Sequence, residues 1–207
     1  TAAENATEEA KTATVTVYMA ATADAEAVAS AEITCSQAAP STGDEGDEPT
    51  TPTEKSYVKV TSTAEITAGK YLIVYEAGSL ALNGSLTKIE ASKNGTAVTI
   101  SDGKITSTAD VDKINFTIDV ISGGFTIKAA NGQYIGATAA SKNELKEATT
   151  TQYKNVITIN TSGEAHIVGE SGNILRYNAA ADQARFRYFK AATYTSQKAI
   201  HLYKLVE

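Results

Sequence analysis

Apolar and polar residues alternate in short runs along most of this chain, and no segment sustains a helical period. From residue 56 onward the runs read "YVKVTS", "KYLIVYE", "TAVTIS", "INFTIDV", "GFTIKA", "NVITIN", "EAHIVG", "NILRYN", "RFRYF" and "AIHLYKL", separated by Gly, Asn, Asp and Ser. Successive side chains on a strand point to opposite faces, so a period of two marks a strand with one buried face. Short strands at this spacing predict an all-β sandwich or barrel. Nearer the N-terminus, "TATVTVYMA" (residues 12–20) puts Val15, Val17 and Met19 on one face and Thr14, Thr16 and Tyr18 on the other. Its candidate partner is "AVASAEITCS" (27–36) across the polar turn "TADAEA", although the Ala-rich middle also reads as helix. Together they predict an N-terminal β-hairpin. Two strands cannot bury a core alone. The hairpin is therefore expected to pack on the main domain, to pair with a neighbouring domain or chain, or to be the tail of an upstream module.

The pattern divides the chain into residues 1–37 with the hairpin, a linker at 38–55, and a main domain at 56–207. The linker "AAPSTGDEGDEPTTPTEK" holds Pro40, Pro49 and Pro52, the three prolines of the chain. Its run Asp44, Glu45, Asp47 and Glu48 lacks the ligand spacing of a calcium loop and reads as a solvated, self-repelling spacer.

The main domain contains an internal repeat. "GFTIKAANGQYIGA" aligns without gaps on "EAHIVGESGNILRY", with Ile127 on Ile167, Gly132 on Gly172 and Tyr134 on Ile174. "ITAGKYLIVYE" supplies a third copy of the second half, with Gly69 and Tyr71 in the equivalent places. "INFTIDV" or "NVITINT" precedes each full unit. Three units of about fifty residues predict a three-fold barrel. Tyr71, Tyr134 and Ile174 are expected to face inward, and "YVKV" is expected to pair with the terminal "IHLYKL".

The strand and "G-x-Y-[IL]-G" rhythm of "NGQYIGA" resembles the repeats of fascin-type and ricin-type β-trefoils over residues 56–207. The pieces "GKYLIVYE", "NGQYIGA", "ILRYN" and "RFRYFK…QKAIHLYKL" resemble an accessory domain at the ends of secreted multidomain proteins of gut bacteria. Residues 12–37 resemble the last two strands of an immunoglobulin-like module. The resemblance implies a β-trefoil-like barrel of three repeats, with another β-barrel or a β-sandwich as the alternative. It also implies a secreted or bacterial cell-surface location. Ricin-type lobes carry a Gln-x-Trp signature, and this chain has no Trp, so their sugar-contacting residues do not carry over.

Charge narrows the function. Among 207 residues the net charge is −6. Residues 1–55 carry two Lys and eleven Asp/Glu, a net −9, which leaves the main domain at +3. No clustered basic surface of the kind a nucleic-acid binder needs is expected, and no apolar run reaches the length of a membrane span. The lone Cys35 permits no internal disulfide and no Cys-based metal site. No leader segment is read and the first residue is Thr1, so the chain is expected to be a processed or trimmed piece.

Catalytic chemistry finds little support. His166 and His201 lie in strands and read as core-edge or solvent-facing histidines rather than metal ligands. No G-x-S-x-G elbow, Walker loop or G-x-G-x-x-G sequence is present. Cys35 lacks a nearby His to activate it. Glu144 and Glu147 read as solvated charges on a polar loop rather than a glycosidase pair. No cofactor is called for. Five N-x-Ser/Thr sequons begin at Asn5, Asn83, Asn94, Asn115 and Asn160, as expected by chance in a Thr/Ser-rich chain.

One segment stands apart. "RYNAAADQARFRYFK" (176–190) holds every arginine of the chain, Arg176, Arg185 and Arg187. Period two makes Phe186 and Tyr188 the core pair and turns Arg185 and Arg187 outward. Tyr177, Asn178, Asp182, Gln183, Arg185 and Arg187 are then candidates for binding a polyhydroxyl or carboxylate ligand. The competing reading is a joint locked by an Asp182–Arg ion pair, and the alternation with core aromatics favours it. The function expected is a non-catalytic binding module for a glycan. A structural or assembly domain of a surface protein is the alternative, and an enzyme ranks last.

Overall fold

The computed structural model describes residues 11–19, 29–37, 55–190 and 196–206, the first two stretches as backbone. The chain divides into two compact units, Thr1–Thr51 and Pro52–Glu207. Apart from Lys55, the expected linker lies outside the described residues, as do the turn "TADAEA" and the Asn5 sequon.

In the first unit, β1 (Lys11–Met19) and β2 (Ala29–Gln37) form an antiparallel ribbon with Lys11 opposite Gln37 and Met19 opposite Ala29. The hairpin strands form as expected, and residues 29–37 are strand rather than helix. Val15 lies opposite Ile33 and Val17 opposite Ala31.

The second unit contains β3 (Ser56–Lys59), β4 (Gly69–Tyr75), β5 (Leu80–Leu82), β6 (Gly95–Ala97), β7 (Lys104–Thr106), β8 (Phe116–Ile121) and β9 (Gly124–Ala129). It continues with β10 (Tyr134–Gly136), β11 (Lys146–Ala148), β12 (Asn155–Ile159), β13 (Ala165–Gly169), β14 (Ile174–Asn178), β15 (Arg185–Phe189) and β16 (His201–Val206). One helical turn, α1 (Ala109–Asp112), starts where the Thr108 hydroxyl accepts from the Val111 N–H.

These strands make one antiparallel sheet in the order β15-β14-β13-β12-β9-β8-β4-β16-β3-β7, with β5 and β6 branching from β4 and β10 and β11 branching from β9. The class is all-β. The strand ladders do not close into a barrel. Outside them, isolated bridges reach the segment before β16: the Ala165 N–H of β13 donates to the Ile200 carbonyl at 2.7 Å, and Tyr177 of β14 exchanges both backbone hydrogen bonds with Lys198 at 3.1 and 2.7 Å. The expected pairing of "YVKV" with "IHLYKL" is present, with Lys59 opposite Tyr203 and Ser56 opposite Val206.

The repeat is visible as a layer of the core. Leu202 lies opposite Ile73, Ile118 opposite Ile127, and Ile157 opposite Ile167. The other edges of β4, β9 and β13 pair Val74 with Ala81, Lys128 with Tyr134, and Val168 with Ile174. Carried one residue beyond these pairs, the antiparallel register brings Ile73, Ile127 and Ile167 level with Leu82, Ile135 and Leu175. All nine residues belong to one buried cluster.

This register corrects the alignment read from sequence. Tyr71 is buried, but Tyr134 and Ile174 stay partly exposed, and their neighbours Ile135 and Leu175 take the core positions. A shift of one residue moves a strand's whole apolar set to the other face. The third copy is equivalent through the turn after Tyr75, not through Gly69. There Ser79 (φ 49°) takes the left-handed conformation that Gly132 (φ 89°) and Gly172 (φ 80°) supply in the other two units. β11 is a further correction, since it turns part of an expected polar loop into a strand paired with β10.

Candidate functional site

The arginine-bearing segment folds into β14 and β15, joined by a 3-10 turn at Ala181–Gln183. Leu175 lies opposite Tyr188 and Tyr177 opposite Phe186, and all four are buried. Arg176 lies opposite Arg187 and Asn178 opposite Arg185, on the partly exposed face. The alternation thus points Arg185 and Arg187 outward and puts Phe186 and Tyr188 in the core, as expected.

The structure separates the six candidate residues. Tyr177 is only 6% exposed, and its ring stacks on Tyr75 at 4.5 Å and tilts against Phe186 at 4.8 Å. It faces the core rather than the arginines, which corrects its assignment as a ligand contact. Burial, with the Tyr75 hydroxyl nearby, raises its pKa. Asn178 shapes the turn by accepting from the Ala180 N–H at 3.1 Å. Asp182 and Gln183 are exposed on that turn. No ion pair joins Asp182 to Arg185 or Arg187 among the described residues, so the contact expected of a joint is not made.

Other residues clamp β15. The Phe186 N–H donates to Asn94 Oδ1 at 2.8 Å, and Asn94 Nδ2 donates to the carbonyls of Phe186 at 3.0 Å and Ile89 at 2.6 Å. Asn94 is fully buried, so its sequon is closed to modification in the folded state. Glu144 and Tyr188 exchange both backbone hydrogen bonds, at 3.1 and 3.0 Å. The Tyr188 hydroxyl donates to Asn155 Oδ1 at 2.7 Å. Sequence reading missed the roles of Asn94 and Asn155, because an asparagine that will be buried carries no mark of its partners along the chain.

Beside this ribbon lies an open cleft of about 650 Å³. Its cations are Lys88, Lys142, Lys146 and Arg187, and its carboxylates are Glu90, Glu144 and Glu147, with Gln133 and Asn143 between them. Glu144 is buried, which corrects its reading as a solvated loop charge. Its Oε1 accepts from the backbone N–H groups of Thr138 (2.7 Å) and Ala139 (2.8 Å). Burial opposes its ionisation, but those two donors and the charges of Lys146 and Lys142 prevail, and its pKa lies below the ordinary range. Glu147 accepts from the Glu90 N–H at 2.7 Å. Two of the three carboxylates are thus turned to backbone donors.

A second polar cluster surrounds Glu76. It accepts from Lys59 Nζ at 2.9 Å and from the Tyr203 hydroxyl at 2.7 Å, and His201 Nε2 lies 3.5 Å away. Burial opposes Glu76 ionisation, yet the Lys59 and Tyr203 hydrogen bonds and the neighbouring charges hold its pKa below the usual range. Burial lowers the His201 pKa against the pull of Glu76, and His201 Nδ1 is buried without a hydrogen-bond partner. His201 therefore sits at a core edge, and His166 is partly exposed on β13. Among the described residues no group of three or more His, Cys, Asp or Glu is placed to hold a metal ion, and no helix is long and apolar enough to cross a membrane.

Comparison with known proteins returns no match to a family model and no match to a curated protein.

Proposed function

We propose that the Pro52–Glu207 unit is a β-trefoil-like, non-catalytic module that binds carbohydrate. The trefoil reading is supported by the three equivalent core triplets, Leu202–Ile73–Leu82, Ile118–Ile127–Ile135 and Ile157–Ile167–Leu175, and by the bridge from Ala165 to Ile200. Three like units around a common core are the arrangement that three-fold repeats predict. The binding reading is carried by one observation, the lining of the open cleft. Each sugar hydroxyl both donates and accepts a hydrogen bond. A lining in which Lys and Arg donors alternate with carboxylate and amide groups suits a polyhydroxyl ligand better than an apolar one. A secreted or cell-surface location accords with this reading.

A glycan array probed with the 207-residue chain tests it. Binding to a defined glycan class, weakened by Lys142→Ala, is expected. Failure to bind any glycan would reject the reading. That outcome would favour the second reading, a structural or assembly domain. The observation behind this second reading is the two-stranded ribbon of β1 and β2, whose outer edges pair with no other strand among the described residues and suit a neighbouring domain or chain.

A further inference from the structure

We infer that the ligand is an acidic saccharide, bearing carboxylate or sulfate groups, and that Arg176, Arg185 and Arg187 recognise its negative charge. This rests on the carbohydrate reading above and names the substrate class of the same surface.

Arg176 lies directly opposite Arg187 on β14 and β15, and Arg185 lies on the same face two residues before Arg187. Directly opposed like charges destabilise a strand pair, so such a pair is expected only where something else requires it. Among the described residues no carboxylate lies within ion-pair distance of any of the three, Asp182 included. The Nε atoms of Arg185 and Arg187 are shielded from solvent and meet no acceptor. Both guanidinium groups are thus less hydrated than free surface arginines, and their Nη ends hold the donors left for an acceptor. A planar guanidinium matches carboxylate and sulfate oxygens in pairs, which a lysine ammonium cannot do.

The cleft extends this surface. Arg187 lines it together with Lys142, Lys146 and Lys88. Glu144 and Glu147 accept from backbone N–H groups, and among the described residues neither makes an ion pair with those lysines, although the charges of Lys146 and Lys142 act on Glu144. A chain of anionic sugars laid from the cleft across Arg187 to Arg176 would meet a cation at each end and hydroxyl partners between them. Nucleic acid suits the surface less well. The main unit carries a net charge of only +3 within a chain of −6, far below the field that phosphate backbones select.

The test is titration calorimetry of the full chain with four probes: oligogalacturonate, its methyl-esterified form, a sulfated oligosaccharide and its desulfated form. At least one acidic probe is expected to bind at least ten times more tightly than its neutral partner, and which of them binds distinguishes carboxylate from sulfate. Arg176→Ala and Arg187→Ala are expected to weaken that binding at least tenfold with unchanged melting. Arg187→Lys should also weaken it, because charge is kept and the fork is lost. Equal binding of acidic and neutral partners, unaffected by the arginine changes, would overturn the inference and leave the carbohydrate reading standing. Equal binding of polyglutamate or single-stranded DNA would overturn it as plain polyanion capture. If no saccharide of either kind binds, the carbohydrate reading itself fails, and this inference with it.

Discussion

Replacing Asn94 by Ala tests how β15 is held. In the tertiary structure the amide of Asn94 acts as a strand partner. It receives the Phe186 N–H at 2.8 Å and donates to the carbonyls of Phe186 at 3.0 Å and Ile89 at 2.6 Å. No β-ladder can take its place. Across β14, the backbone of Tyr177 bonds to Lys198 rather than to Phe186. Asn94→Ala therefore strands three backbone groups around a side chain that is fully buried. Each unmet group costs about 1–3 kcal/mol. Carbonyls tolerate the loss better than N–H groups, and the vacated space admits some water, so the low end applies. The expected loss is about 3–4 kcal/mol. For a domain of this size each kcal/mol lowers the melting temperature by about 2–4 °C, so a fall of roughly 6–16 °C follows. Urea denaturation followed by circular dichroism measures the free energy directly. Asn94→Asp keeps the acceptor for Phe186 but faces two carbonyls with a carboxylate, and it should be destabilised at least as much. A loss below about 1 kcal/mol for Asn94→Ala would refute the view that one side chain anchors this strand.

Other outcomes follow from close packing and charge. Gly84→Ala would bring a methyl group 2.6 Å from the Asn115 carbonyl oxygen and 2.9 Å from that of Ile114, so it should destabilise by about 1–3 kcal/mol in thermal melts. Arg176→Ala removes a charge opposed only by Arg187, so stability should hold or rise by at most about 1 kcal/mol; a larger loss would reveal a structural partner. On acidification, the lowered His201 pKa makes stability fall as pH drops below the ordinary 6.5, because the unfolded chain takes up the proton first. The lowered Glu76 and Glu144 values add a further loss below 4.5, down through their folded pKa values. Melting temperatures from pH 8 to pH 3 read both limbs, and Glu76→Gln should flatten the lower one in part.

What the sequence determined by itself is what depends on neighbours along the chain. Alternation with period two placed the principal strands, because burial of one face is recorded in every second residue. It also turned Arg185 and Arg187 out and Phe186 and Tyr188 in. The gapless alignment of the two full units marked the equivalence of Ile127 with Ile167, since turns of equal length with Gly132 and Gly172 set equal registers. The first unit was aligned on the wrong glycine, because its turn is one residue longer and uses Ser79 where the others use glycine. Only the tertiary structure decided which residues meet across long stretches of chain. It withdrew Tyr177 from the surface by setting its ring on Tyr75. It buried Glu144 against the N–H groups of Thr138 and Ala139 and put Asn94 beside Phe186, 92 residues away. It also set Arg176 opposite Arg187 and, among the described residues, gave neither an acid as partner. A polar side chain carries no mark of its partner in its own sequence, because hydrogen bonds and ion pairs depend on distance in space, whereas alternation is recorded wherever a strand has one wet face.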